Sequence, residues 1–139
     1  MPCPSVPASA AMWTGTTTNT KTGDVPTLWV GSTREESKAS CKGCPLLDSG
    51  DCYAQFGTPS IGHGSMIRAA KKGKRYTLKA ALQASKRSAK MARFGAIGDP
   101  AALPMEYLRK AIKAVRSVGL DPVGYTHHWR SKPELAGVF

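Results

Sequence analysis

Runs of hydrophobic residues bounded by polar residues and glycine predict three short β-strands. Val25–Val30 is rich in β-branched and aromatic residues and is closed by Gly31, with Pro26 near its start, where a missing N–H does least harm. Ala92–Ile97 is a run of mostly small and apolar residues that leads into a Gly-Asp-Pro sequence. Asp121–Thr126 is the third run, and two histidines follow it.

Two longer segments have the period of amphipathic helices. Between residues 65 and 91 the pattern is helical, with a break near Gly73. Its expected buried stripe comprises Leu78, Ala81, Leu82, Ser85 and Ala89. Residues 104–119 predict a second helix, with a proline in the first turn and a glycine at the end. Its apolar side comprises Tyr107, Leu108, Ile112, Val115 and Val118. A shorter helix is expected to open at Ser32, which Glu35 follows in a capping-box pattern.

The order of these elements predicts the fold class. Strands alternate with helical segments, and such alternation implies βαβ units with right-handed crossovers. We therefore expect an α/β fold with a βαβαβ parallel sheet. Three strands do not close a barrel, so the sheet is expected to be open or to form part of a (β/α) barrel. Residues 1–24 show no helical or strand period and are expected to be irregular, and residues 25–139 are expected to form a single α/β domain.

Three of the four cysteines lie close together in the sequence. Cys41, Cys44 and Cys52 have the spacing C-x2-C-x7-C, with a proline directly after the second cysteine. A tight turn between the first two brings both sulfurs to one side, and the third is near enough to close the same site. The spacing predicts a metal or iron–sulfur site. One disulfide with a spare thiol, or three free cysteines, is the alternative. Cys3 is expected to be a mobile thiol outside the site.

The chemistry of thiolates indicates which cofactors this site would take. Thiolates are soft ligands that suit an iron–sulfur cluster or zinc, and Lys38 and Lys42 are expected to favour the deprotonated thiols. Three cysteines leave one coordination position for a small molecule, for water, or for His63 as a fourth ligand. His63 lies in residues 58–64, which are expected to form a flexible loop. A loop histidine between two glycines is also typical of a merely exposed residue.

Polar residues follow the second and third predicted strands. Asp99, after Gly98, lies where a strand is expected to end, and ligands of β/α folds bind at strand ends. Helix capping or a turn role is the alternative for Asp99. His127 and His128 follow the third strand. Adjacent residues of an extended chain point to different sides, so the two histidines are not expected to bind one metal together. One of them is a candidate for a site at the strand end.

The charge balance indicates a polyanionic partner. The chain has 20 basic and 9 acidic residues, a formal net charge of +11, and no Asp or Glu lies between Cys52 and Gly98. Such a field attracts polyanions, of which nucleic acid is the commonest in a cell. A solvated basic helix is the alternative. The candidate contact residues are Arg68, Lys71, Lys72, Lys74, Arg75, Lys79, Lys86, Arg87 and Lys90.

Two sequence features bear on location. No apolar run approaches the roughly 20 residues that span a bilayer. The first residues lack the basic start and apolar centre of a secretory signal. We therefore expect a cytoplasmic protein without a membrane partner. In that compartment clustered cysteines more often hold metal than form disulfides.

Short motifs of the chain resemble those of uncharacterised phage and bacterial proteins that look related to the radical S-adenosylmethionine (SAM) superfamily. The resemblance spans roughly residues 19–130. The motifs are Asn19-Thr-Lys-Thr-Gly23, Cys41-x-x-Cys44-Pro45, Cys52-Tyr53-Ala54, Gly98-Asp99-Pro100 and Tyr125-Thr126. In that superfamily three cysteines after the first barrel strand hold a [4Fe–4S] cluster whose fourth iron binds SAM. A Gly-Gly-Glu-like motif at the end of the second strand holds the SAM amino group.

The resemblance implies roles for particular residues. Cys41, Cys44 and Cys52 would be cluster ligands, and Gly98 with Asp99 would stand at the SAM amino-group position. The superfamily's usual C-x3-C-x2-C spacing and its Glu differ from the residues of this chain. The strands that carry the ribose and adenine contacts have no room in 139 residues. A homo-oligomer would complete the partial barrel, and a phage-encoded protein would work in the host cytoplasm.

Three functions follow from these features. The first is an iron–sulfur protein of radical-SAM-like ancestry, acting as a redox or radical enzyme or as a relic of one. The second is a zinc-stabilised nucleic-acid-binding module that uses the basic helix of residues 68–93. The third is a structural or interaction protein whose cysteines are incidental.

Overall fold

The computed structural model describes residues 3–16, 24–52 and 58–139. Its strands are β1 (Ala11–Thr14), β2 (Thr27–Val30), β3 (Met91–Phe94) and β4 (Asp121–Gly124). Its α-helices are α1 (Arg34–Ser40), α2 (Pro45–Ser49), α3 (Thr58–Lys71), α4 (Leu78–Ala84) and α5 (Met105–Ser117). Short 3-10 turns cover Ala8–Ala10, Pro100–Ala102 and Pro133–Gly137.

The described strands form one open sheet in the order β1-β2-β3-β4. β2 pairs with β3, and β3 with β4, in parallel, whereas β1 pairs with β2 antiparallel. The prediction of an α/β fold with a parallel βαβαβ core is thereby confirmed, and the sheet is not a closed barrel. In addition, no described helix is long and apolar enough to cross a bilayer.

The expectation that residues 1–24 are irregular is wrong for β1. Ala11 pairs with Val30 and Thr14 with Thr27, so β1 extends the sheet beyond the predicted strands. The side chains of Met12 and Trp13 are buried, and they belong to two different hydrophobic clusters of the core. Four residues are too few to show a period, so the partner strand rather than local pattern makes this segment a strand.

The helical pattern predicted over residues 65–91, with a break near Gly73, corresponds to two separate helices, α3 and α4. α3 begins at Thr58, so the stretch 58–64, expected to be a flexible loop, is helical. The chain turns at Gly73, whose φ of +97° is a left-handed conformation that glycine adopts freely. α4 then begins after Thr77, whose hydroxyl accepts a hydrogen bond from the Ala80 N–H. The basic segment 68–93 is therefore two helices and a strand.

Helices cover both faces of the sheet. On one face, Trp13, Leu28 and Phe94 pack with residues of α4 and α5 in the larger core cluster. The Trp13 and Phe94 rings meet edge to face, with centroids 5.0 Å apart. On the other face, Met66 and Ile67 of α3 form a smaller cluster with residues of β1 and β2.

The predicted apolar stripes account for most of the helix packing. Leu78, Ala81 and Leu82 of α4 contact the core as expected. So do the predicted residues of α5, except that Val118 follows the helix and is exposed. The helix predicted over residues 104–119 is otherwise confirmed to within two residues at its end.

Loss of the Tyr107 hydroxyl should destabilise the core. The buried Trp13 Nε1–H donates to Tyr107 Oη at 2.8 Å. Tyr107→Phe leaves this N–H without its acceptor, which costs about 1–3 kcal/mol of unfolding free energy. Urea unfolding followed by circular dichroism measures the loss. Tyr125→Phe is the control, because Tyr125 is 92% exposed. Equal stability of the two variants would contradict this assignment.

Candidate metal centre

A cavity of about 210 Å³ lies beside the carboxyl ends of β2 and β3. α1 contributes one wall, and the segment after β3 contributes another through Ile97 and Gly98. His63 of α3 and the cysteine-containing loop complete it. This edge of a parallel sheet is where ligands of open α/β folds bind.

The position of α1 follows from the end of β2. Gly31 has a φ of +116°, and a Cβ at this position would lie 2.6 Å from the Ser37 backbone nitrogen, so only glycine fits against the helix. Thr33, rather than the predicted Ser32, caps α1, and its hydroxyl accepts from the Glu36 N–H at 3.0 Å. Glu36 in turn accepts from the Ser32 N–H at 2.8 Å. The cap is therefore shifted by one residue from the predicted one, and Glu36 bonds the residue before the N-cap instead of completing a capping box.

The three clustered cysteines flank two short helices. Cys41 ends α1, and Cys44 precedes α2 and donates its N–H to the Cys41 carbonyl at 2.9 Å, which is the tight turn that the spacing predicted. α2, which was not predicted, fills most of the seven-residue spacer and ends at Gly50, whose φ is +80°. Cys41 and Cys52 line the cavity, while Cys44 is buried. All four cysteines are free, so the disulfide alternative is not realised.

Burial is the main influence on the pKa of the Cys41 thiol. Burial is the largest of the effects that together raise the pKa of Cys41 to about 11; the hydrogen bond with Ser40 lowers it, and the nearby Asp99, Cys44 and Cys52 raise it. The expectation that Lys38 and Lys42 favour a deprotonated thiol is therefore wrong for Cys41. Because the thiolate is the reactive form, Cys41 is a poor nucleophile at neutral pH. A metal ligand role requires the metal to displace its proton.

The cysteines do not have ligating geometry in this structure. Within residues 3–16, 24–52 and 58–139, no group of three or more His, Cys, Asp or Glu side chains is placed to hold a metal ion. The structure brings Cys41 and Cys52 to one cavity. Cys44 is joined to Cys41 by the tight turn that their backbone hydrogen bond closes. Cys3 lies elsewhere, with its thiol 3.5 Å from the Ala101 carbonyl oxygen.

His63 lies in the cavity wall and not in an exposed loop. It is only 1% exposed, and its ring stacks on Trp29 with centroids 6.3 Å apart. Its Nε2 is 2.8 Å from the Gly31 carbonyl oxygen, which can only accept, so Nε2 carries the proton. In the neutral ring the lone pair is then on Nδ1, for which no described residue is a hydrogen-bond partner.

The charge state of His63 suits a metal ligand. Burial lowers the pKa of His63, the Arg34 charge lowers it further, and the bond to Gly31 opposes both. The ring is therefore neutral at physiological pH, and neutral imidazole is the form that binds metals. A ligating histidine almost always donates its other ring N–H to a carbonyl or carboxylate, as His63 does to Gly31.

Gly98 and Asp99 have different surroundings. Gly98 lines the cavity with a φ of +77°, and a Cβ there would lie 2.6 Å from the Val30 carbonyl oxygen. Asp99 is 3% exposed and is not part of the cavity wall. Its Oδ1 accepts from the Ala101 N–H and its Oδ2 from the His127 N–H, each at 2.9 Å. The capping role, considered as the alternative for Asp99, is the one that the structure shows.

The two adjacent histidines point in different directions, as expected. The His127 side chain is exposed. His128 is buried, with Nε2 3.1 Å from the Ser40 carbonyl oxygen and 3.7 Å from Asp99 Oδ2. Ser40 also accepts from the Asp99 N–H at 2.9 Å. This buried serine was missed, because nothing in its sequence neighbourhood distinguishes it from a surface serine.

The nine basic candidate residues from Arg68 to Lys90 are all exposed. Among the described residues, Lys86 alone of the nine pairs with a carboxylate, that of Asp24 at 2.5 Å. α3 starts beside α1, where Arg34 bonds to Ser60, and extends for 14 residues before Lys72 follows. At about 1.5 Å per residue, its far end is well removed from the cavity.

No protein-family model, curated protein or solved structure matches the chain. The resemblance to radical SAM proteins therefore stays a prediction.

The buried His63 should make stability depend on pH. Burial lowers the pKa of His63 in the folded state below its ordinary value of 6.5. As the pH falls below 6.5, His63 is therefore protonated in the unfolded chain before it is protonated in the folded protein. The folded state loses stability as a result. His63→Gln removes this contribution. Urea unfolding of the metal-free protein at about pH 7.5 and about pH 5.5 should show a smaller loss in His63→Gln than in the wild type. His127→Gln, an exposed control, should lose as much as the wild type. Equal losses in all three proteins would contradict the assignment.

Proposed function

We propose that the protein binds an iron–sulfur cluster of the [4Fe–4S] type through Cys41, Cys44 and Cys52. The observation that carries the proposal is that Cys41 and Cys52 line one cavity at the carboxyl edge of the sheet. Cys44 is linked to Cys41 by a tight turn. The side chains of this loop would have to rearrange to turn the three thiols into ligands.

The charge of the cavity supports an anionic cluster. Arg34 and Lys38 line it, and none of its lining residues is Asp or Glu. A cluster held by three thiolates carries net negative charge, which nearby cations stabilise. Iron would have to displace the proton of Cys41, whose pKa is raised by burial.

His63 is the proposed fourth ligand, through Nδ1. It shares the cavity with Cys41 and Cys52, and its proton is held on Nε2 by Gly31. When bound, a cluster of this kind supplies one-electron transfer, and the protein's own residues set its charge and exposure.

The proposal does not extend to bound SAM. The cavity of about 210 Å³ is smaller than the roughly 300–1,000 Å³ of most pockets for such ligands. The Asp99 carboxylate, at the position that the resemblance assigns to the SAM amino group, already accepts two backbone hydrogen bonds.

Anaerobic reconstitution with iron and sulfide tests the cluster. We expect a brown protein with about four iron and about four sulfide per chain and broad visible absorbance. Cys41→Ser, Cys44→Ser and Cys52→Ser should each lose most of the iron, because a lost thiolate leaves the cluster underligated. Cys3→Ser is the matched control and should keep it, since its thiol contacts Ala101 away from the cavity.

The outcome with zinc separates the alternatives. A colourless protein that retains about one zinc per chain and no labile sulfide would support the zinc-stabilised module instead. Normal folding with no bound metal in the wild type and in all four variants would leave the cysteines incidental and overturn both metal proposals.

We also propose a nucleic-acid partner, and with it a cytoplasmic location, for the exposed basic surface. The observation that favours it is that eight of the nine basic residues from Arg68 to Lys90 have no carboxylate partner among the described residues. The densest part comprises Lys71 at the end of α3 and Lys72, Lys74 and Arg75 directly after it; these four residues are called the α3–α4 connection. Phosphate oxygens are the groups that such a surface recognises.

A charge-matched pair of variants tests this surface. Replacing the four residues of the α3–α4 connection by Ala should weaken binding to a DNA duplex and flatten its salt dependence. Each lost phosphate contact reduces the steepness of the plot of log binding constant against log salt concentration (the salt slope) by about 0.9. The control replaces four exposed residues of α5 by Ala: Arg109, Lys110, Lys113 and Arg116. Fluorescence anisotropy at several salt concentrations should show a smaller effect for the control. Equal effects would mean that net charge alone acts.

A further inference from the structure

Two aromatic side chains are exposed directly after β4. Tyr125 is 92% exposed and Trp129 is 59% exposed, although both are large and partly apolar. The other two tryptophans of the chain are buried or half-buried. Exposed apolar groups clustered on a short segment are typical of contact surfaces.

The segment that carries these aromatic residues is held firmly in place. The His127 N–H donates to Asp99 Oδ2 at 2.9 Å, and His128 Nε2 lies 3.1 Å from the Ser40 carbonyl oxygen. Asp99 follows the cavity residue Gly98, and Ser40 precedes the cavity residue Cys41. The two aromatic residues are therefore carried on a loop that is anchored next to the cavity.

One cation contacts the aromatic segment, and two more lie close in sequence to the residue that anchors it. The Arg130 guanidinium lies 4.8 Å from the centroid of the Trp129 ring, in a cation–π contact. Lys38 and Lys42 are exposed, two residues before and after Ser40, to which His128 is bonded. Aromatic rings beside positive charges are the combination that binds single-stranded nucleic acid, in which bases stack on the rings and phosphates meet the cations.

We propose that Tyr125 and Trp129 form a stacking platform for the bases of single-stranded nucleic acid. The inference rests on the proposed nucleic-acid partner and narrows it to strands whose bases are accessible. In a duplex the bases are stacked on one another, so the platform adds nothing to the phosphate contacts. The net charge of +11 favours nucleic acid, a polyanion, as the ligand over a protein surface that has few acidic residues.

The experiment compares single-stranded and duplex DNA of one length on the full chain by fluorescence anisotropy. Trp129→Ala and Tyr125→Ala should each weaken binding of an oligo-dT strand by roughly 5- to 150-fold, the range that corresponds to one lost stacking contact. Duplex affinity and the salt slope should stay unchanged. Trp129→Phe and Tyr125→Phe, which keep a stacking ring, should retain most of the single-strand affinity. Val118→Ala, at another exposed apolar residue, is the control.

Each of the other outcomes would contradict the stacking platform, the nucleic-acid partner, or both. Single-strand binding that Tyr125→Ala and Trp129→Ala leave unchanged removes the platform, while the basic surface stands. Absence of binding to any DNA or RNA at low salt removes both. If light scattering shows a dimer that Trp129→Ala dissociates, a second copy of the chain covers the rings. If anionic vesicles bind as tightly as oligo-dT and lose binding in the same variants, the ligand is a lipid surface. Neither result is compatible with the inference.

Discussion

The buried carboxylate of Asp99 is the contact on which the carboxyl edge of the sheet depends. Its oxygens accept from Ala101 and His127, and its own N–H donates to Ser40. These bonds join the end of α1 to the segments after β3 and β4. A buried polar group is tolerated only when its hydrogen bonds are made, so these bonds hold the three segments in one mutual arrangement. The cavity and the exposed aromatic loop are both positioned by it.

The described chain contains two regions of different chemistry. α3 and α4 pack near β1 and β2, and their connection carries exposed lysine and arginine. The carboxyl edge of the parallel strands instead contains the cysteine loop, the buried His63 near the start of α3, and the hydrogen-bonded carboxylate of Asp99. Because the far end of α3 lies away from the cavity, the proposed metal site and the basic surface are separate features of the described chain. A change in one is not expected to alter the other except through overall stability.

Sequence pattern predicted the parallel core well, because β2, β3, β4 and α5 have either a clear composition or a clear period. It did not predict β1 or α2, since segments of four or five residues have no period and owe their conformation to neighbours. Of the three cysteines that the spacing assigned to one site, Cys41 and Cys52 line the same cavity. His63 was wrongly predicted to lie in a loop, because flanking glycines are typical of loops. In the structure Gly64 instead allows close contact between helices, since a Cβ at this position would lie 2.8 Å from the Arg34 side chain. The burial of Ser40 and Asp99 depends on contacts between distant segments, which no local pattern encodes.

The first turn of α1 decides which side chains reach the cavity. Arg34, Ser37, Lys38 and Cys41 line it, and their spacing of three, four and seven residues places them on one helical face. Thr33 fixes where this helix begins. Since each residue turns the helix by about 100°, a start displaced by one residue would rotate that face away and present different side chains. The rotation of α1 about its own axis depends on where the Thr33 hydroxyl caps the helix. That rotation determines that the sulfur atom of Cys41, at the other end of α1, faces the cavity.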